Sequence, residues 1–192
     1  PLVHGSGPLT AKSGFADAGE VHIKPRAAAD LLGATPMDRP EDVEVHPRTG
    51  RVYVAFTKNP QRAAAARRRE FNGRLLDAGV DAANPRGANE FGHILEIEEL
   101  GGDAAATRFR WNVFLLAGDP TAPDARFLSE ASRLRPGELA ARDTYFAGAA
   151  VAAALAPIAC PDNLGFDPAG HLWIVTDGAQ PRGDNNGAFA VP

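Results

Sequence analysis

The chain has 192 residues, 44% of them hydrophobic, with 20 Gly and 16 Pro. That suits one packed, turn-rich β domain better than a helical one. A net charge of −4 gives no electrostatic case for nucleic acid, and a single Cys excludes an internal disulfide framework. No apolar run has membrane-spanning length, since 147–156 is short and Ala-rich, and no segment reads as a signal peptide.

In chain order, 25–32 reads as a short helix with Pro25 at its start and Gly33 as its stop. Residues 37–55 read as strand, Pro/Gly turn, strand. Residues 62–76 carry strong helix formers up to Gly73, and their basic run reads as a solvated helix face or loop insertion. Alternation of apolar and polar residues over 92–98 and 107–116, with Gly101-Gly102-Asp103 between, predicts a second hairpin. Residues 118–136 read as a polar, Pro-rich loop, and 137–156 as an Ala-rich stretch with possible helix. A third hairpin at 158–175 and a strand at 187–191 follow. Pro1 is not an initiator Met, and Pro192 directly follows a strand, which reads as a piece of a larger chain with open sheet edges.

The first and third hairpins are one segment repeated. Pro40 meets Pro161, Glu41 meets Asp162, Val45 meets Phe166 and Pro47 meets Pro168. After a one-residue slip in the turn, Gly50 meets Gly170 and Val52-Tyr53-Val54 meets Leu172-Trp173-Ile174. A hairpin repeated within one chain, with strands between, predicts radially repeated sheets. The expected fold is mainly β, a β-propeller-like part of a larger ring with short helical insertions. The expected organisation is a single partial domain over 1–192, with insertions at about 60–82 and 120–157.

In that arrangement Glu41 and Asp162 open equivalent strands and point toward a common axis. Two converging carboxylates call for a hard cation such as Ca²⁺; the competing reading is local bonding to backbone N–H groups. Arg86 and Asn89 lie in the loop Asn84-Pro85-Arg86-Gly87-Ala88-Asn89, where a guanidinium and an amide could meet an oxyanion; a solvated loop arginine is the plainer reading. His93 reads as structural, Cys160 as a small buried filler, and Trp111 and Trp173 as core. Asp177-Gly178 and 184–187 read as turns. No nucleophile elbow, zinc-hydrolase helix, phosphate-cradling loop or paired Cys motif occurs.

With these residues in view, the chain resembles the PhoX-type bacterial alkaline phosphatases. The resemblance rests on Gly33-Ala34-Thr35-Pro36-Met37-Asp38-Arg39-Pro40-Glu41, on Asn84-Pro85-Arg86…Asn89…Gly92-His93-Ile94, and on Phe109-Arg110-Trp111…Ala117-Gly118-Asp119-Pro120. It continues in Pro161-Asp162-Asn163-Leu164…Phe166-Asp167-Pro168…Leu172-Trp173-Ile174…Thr176-Asp177-Gly178. It implies a six-bladed propeller, export to the periplasm or beyond by the twin-arginine route, and hydrolysis of small-molecule phosphate monoesters at a cluster of Ca²⁺ and Fe³⁺. It further implies that Glu41 and Asp162 are metal-cluster ligands and that Arg86, with Asn89 nearby, contacts the phosphate. The family's acidic ligand just after that arginine has no counterpart, because Gly87 and Ala88 follow. The iron-binding cysteine is expected upstream and the remaining blades downstream, so this piece alone is expected to turn over little. Two alternatives stay open: a calcium propeller hydrolase of the lactonase type, and a non-catalytic, truncated calcium-binding propeller module.

Overall fold

A computed structural model describes residues 2–63, 68–71, 74–77, 79–148 and 151–191. The chain forms two compact units, 1–36 with 67–78, and 37–66 with 79–192.

The smaller unit holds two short helices, α1 (Ala18–Ile23) and α2 (Pro25–Leu31). The α1 helix, not anticipated from the sequence, starts at a reciprocal cap. The Asp17 carboxylate accepts from Glu20 N at 2.9 Å, and the Glu20 carboxylate accepts from Ala16 N at 2.8 Å. The α2 helix begins with Pro25, whose missing N–H costs nothing at a first position, and stops before Gly33 at φ 74°. Leu9, Phe15, Val21 and Ala28 form its core.

Strands β3 (Arg68–Phe71) and β4 (Arg74–Asp77) pair antiparallel, where helix propensity predicts a helix. Phe71 pairs with Arg74 across the sequence Asn72-Gly73, a dipeptide that is a strong hairpin signal. That local signal outweighs the propensity of its neighbours. Residues 64–67, 72, 73 and 78 lie outside the described residues.

The larger unit is mainly β. Its main sheet runs β1 (Pro40–Val45), β2 (Val52–Phe56), β5 (His93–Glu99), β6 (Phe109–Leu116), β8 (Thr144–Phe146) and β7 (Phe127–Leu128). All neighbours are antiparallel except β7 and β8. A second sheet has the order β11 (Ala188–Val191), β10 (Leu172–Thr176), β9 (Pro161–Phe166). Neither sheet closes on itself among the described residues.

Strand alternation sends Tyr53 and Ala55 to one face of β2, and Val54 and Phe56 to the other. The first pair packs with Ile94, Ala117, Ile158, Leu164, Leu172 and Ile174. Phe56 packs with Leu95, Val113, Leu116, Leu128 and Tyr145, with Val54 against them. The centre of the main sheet is therefore covered on both faces, and each buried Leu or Ile contributes roughly 1.5–3 kcal/mol.

Trp111 and Trp173 are corrections: neither is core, at 39% and 44% exposed. On β10, Leu172 and Ile174 take the buried phase, so Trp173 and Val175 face outward, and Trp173 Nε1 reaches the Asp167 carboxylate at 3.5 Å. The possible helix in 137–156 is also absent among the described residues. Thr144–Phe146 is β8, which extends the main sheet, and 152–154 is a single 3₁₀ turn.

Candidate functional site

Both sheets present the same end of their strands: the starts of β1, β5, β8 and β9 and the ends of β2, β6 and β10. Two equivalent mouths are found there. Arg39 and Cys160, each directly before a proline, both take left-handed backbone, at φ 55° and 52°. Among the described residues the two are joined by one other non-glycine residue with positive φ, Ala88. The Arg39 carbonyl accepts from Thr57 N at 3.1 Å, and the Cys160 carbonyl accepts from Asp177 N at the same distance. One residue later the ladder slips in both copies. Pro40 pairs with Phe56 and Asp42 with Ala55; Pro161 pairs with Thr176 and Asn163 with Val175. Glu41 and Asp162 are the residues left over, one unpaired residue in each bulge.

A bulge re-aims a side chain that a regular ladder would direct across the sheet face, and a strained backbone persists only where its surroundings hold it. The repeated carboxylate is thus presented by repeated irregular geometry. The two mouths also face each other. The Asp42 carboxylate of β1 accepts from Leu164 N of β9 at 2.8 Å, tying the first strands of the copies together. Asp162's carboxyl is raised above its ordinary value by burial first, then by Glu41 and by Asp177, with Arg39 opposing. Glu41 meanwhile accepts from Arg39 Nη2 at 3.0 Å, on a half-exposed surface.

These hard oxygen donors suit a cation such as Ca²⁺, which would relieve the repulsion that raises Asp162. No group of three or more His, Cys, Asp or Glu able to hold a metal is assembled among the described residues.

Arg86 and Asn89 come together, but behind the mouth. Arg86 is fully buried, and its five N–H donors are all used within the protein. Nε and Nη2 donate to Asn89 Oδ1 at 3.1 and 2.5 Å, Nη1 to the carbonyls of Ala117 and Asp143 at 2.7 and 2.8 Å, and Nη2 to the Gly92 carbonyl at 2.9 Å. Burial lowers its pKa to about 9, opposed by Asp38 and Asp143. In this geometry no donor remains for a phosphate. The guanidinium instead ties the ends of β6 and the starts of β5 and β8 to its own loop.

Asn89 extends the network, donating from Nδ2 to Asp38 at 2.9 Å and meeting His93 Nδ1 at 3.0 Å. Asp38 in turn accepts from Arg62 Nε at 2.5 Å, with both side chains essentially inaccessible. His93 is fully buried and stacked on Phe56 with ring centroids 4.8 Å apart. Burial, then the Arg86 charge, lowers its pKa to about 3, so it stays neutral at working pH. Gly92 fits because its φ is 81° and because a Cβ there would lie 2.2 Å from the Thr57 carbonyl oxygen.

The second mouth is braced by amides. Gln180 pairs with the Ala159 backbone both ways, Nε2 to the carbonyl and N–H to Oε1, each at 3.0 Å. Asn186 Oδ1 accepts from Gly178 N at 3.0 Å. The turn lies just before the predicted 184–187, at 181–183, and Asn186 acts as a brace through its side chain. Cys160 is buried, again as predicted, and burial raises its thiol pKa.

Sequence reasoning missed Asp38 and Arg62, whose pairing spans 24 residues, and Lys58. Continuing the repeat alignment past the strands would have paired Thr57 with Asp177 and Lys58 with Gly178.

The profile described as alkaline phosphatase PhoX matches residues 1–189. A solved structure, Pseudomonas fluorescens PhoX in complex with vanadate, a transition state analogue, aligns with a TM-score of 0.72 at 34% identity. The alignment covers 99% of this chain and 29% of that one, so the chain spans under a third of that relative's length. No match was found among curated protein sequences. The chain belongs to the PhoX alkaline phosphatase family.

Proposed function

We propose that the chain carries part of a phosphomonoesterase site of the PhoX kind, in which Glu41 and Asp162 hold cations at the junction of two propeller blades. The observation that carries this reading is the repeated mouth: a left-handed residue before proline, an identical carbonyl contact and a bulged carboxylate, present twice and facing one another. Family membership and the likeness to a vanadate-bound relative support phosphate monoesters as substrates. Calcium fits the carboxylate oxygens by chemistry; iron is a proposal from the family alone. Bound cations would supply charge neutralisation of the phosphoryl group.

The chain's own residues do the rest. Glu41 and Asp162 present oxygens from fixed backbone, and Asp42 holds the two strands at their spacing. Arg86 and Asn89 position the loop beside the site, and from there they support whatever meets the phosphate. Further blades would complete the ring and the ligand set. A periplasmic or secreted setting, reached by twin-arginine export, follows from the family reading. Among the described residues no helix is long and apolar enough to cross a membrane.

The incomplete ligand set among the described residues gives specific support to a second reading, a calcium-binding module without turnover of its own. One experiment separates them: metal content together with hydrolysis of p-nitrophenyl phosphate and of a simple lactone, in added Ca²⁺. We expect calcium binding that depends on Glu41 and Asp162, with low phosphatase turnover and none on the lactone. Calcium binding with no phosphate-ester hydrolysis under any metal loading would favour the module; lactone hydrolysis alone would overturn the phosphatase reading.

A further inference from the structure

Lys58 occupies a position that the repeat makes informative. Thr57 N bonds the Arg39 carbonyl as Asp177 N bonds the Cys160 carbonyl, so Lys58 in the first copy corresponds to Gly178 in the second. The two positions meet in space: a Cβ at Gly178 would lie 3.6 Å from Lys58 Nζ. The lysine of one mouth reaches across to the other.

Its backbone is held on both sides. Thr57 N is bound to the Arg39 carbonyl at 3.1 Å, and Asn59 N to the Asn89 carbonyl at 2.6 Å. Asn89 is itself fixed by Arg86 and Asp38. The side chain is only half-buried, and Nζ makes no hydrogen bond or ion pair with any described residue. Its electrostatic influence on Cys160 is shared with Asp177, Arg39 and Asp162, which puts the ammonium among the charged groups of both mouths. A protonated amine cannot ligate a cation. Anchored backbone with an unengaged ammonium, beside Gly178 and Cys160 of the second mouth, describes a group set aside for an anion.

On the phosphatase reading above, we propose that Lys58 is a substrate-binding residue that donates from Nζ to a phosphoryl oxygen of the phosphate monoester. Arg86 then acts behind it, as the positioning residue that fixes Asn89 and through it the Lys58 backbone. The contact is charge-assisted but carried by a single point charge, so it supplies affinity more than geometry.

The test is calorimetric titration of the calcium-loaded full chain with inorganic phosphate, for wild type, Lys58→Met and Lys58→Arg, with calcium content measured in parallel. The expected result is phosphate affinity lowered about tenfold or more in Lys58→Met, partial recovery in Lys58→Arg, and unchanged calcium content. If Lys58 instead serves as counter-ion to the carboxylates, Lys58→Met leaves phosphate affinity unchanged and tightens calcium, which overturns the proposal. If wild-type protein loaded with calcium takes up no phosphate, the phosphatase reading falls and this inference with it.

Discussion

The two copies of the repeated hairpin share a backbone and differ in almost everything that supports it. In the first, β2 lies inside a six-stranded sheet covered on both faces, and its mouth is braced by buried charge: Asp38 with Arg62, and Arg86 with Asn89 and three carbonyls. In the second, β10 is covered on one face only, leaving Trp173 and Val175 exposed, and neutral amides brace its mouth. Yet the left-handed residue, the carbonyl contact and the bulge recur. What is kept across such different surroundings is the presentation of one carboxylate per copy.

If the first mouth depends on buried charge, the largest effect comes from Arg86. Arg86→Met strands the carbonyls of Ala117 and Asp143 and takes two of the three donors from Asn89 Oδ1, and is expected to cost about 3–5 kcal/mol in chemical denaturation. A variant that stays stable but loses phosphate affinity would instead put Arg86 in contact with substrate. Bracing by amides predicts a smaller loss for Gln180→Ala, about 1–3 kcal/mol, since the Ala159 backbone groups are left buried and unpaired. Asp42→Ala removes the acceptor for Leu164 N, and should cost about 1–2 kcal/mol and weaken calcium binding by loosening the spacing of the two strands.

The smallest effect has the opposite sign. Asp162's pKa is raised in the folded state, so its contribution to stability is present below the unfolded carboxylate range and is lost as pH rises through the folded-state pKa. Asp162→Asn should therefore stabilise the metal-free protein at neutral pH, by a few tenths of a kcal/mol to about 1 kcal/mol. Melting temperatures across acid to neutral pH check this: wild type should decline relative to the variant, and parallel curves would remove like-charge repulsion from the account.

The repeat was legible in the sequence because proline, acidic and turn residues recur in order, and the observed pairings of Val45 with Val52 and Phe166 with Leu172 follow that alignment. The bulges were not legible: a strand pattern carries no mark for one unpaired residue. The hairpin of Arg68–Phe71 and Arg74–Asp77 is hidden in the sequence by the run of helix formers before it. The two tryptophans read as core because hydrophobicity does not say which part of β6 or which face of β10 is covered. Arg86 shows the wider difficulty: a loop arginine whose every donor is consumed has the same sequence signature as one held open for a ligand.

On the proposed function, Glu41 and Asp162 act as one cation site. Calorimetric calcium titration of wild type, Glu41→Gln, Asp162→Asn and the double variant tests it most directly. Each single change is expected to remove most of the calcium affinity and the double to add little further, the non-additivity expected of two ligands to one ion. Calcium affinity unchanged in both single variants, or losses that simply add, would contradict it.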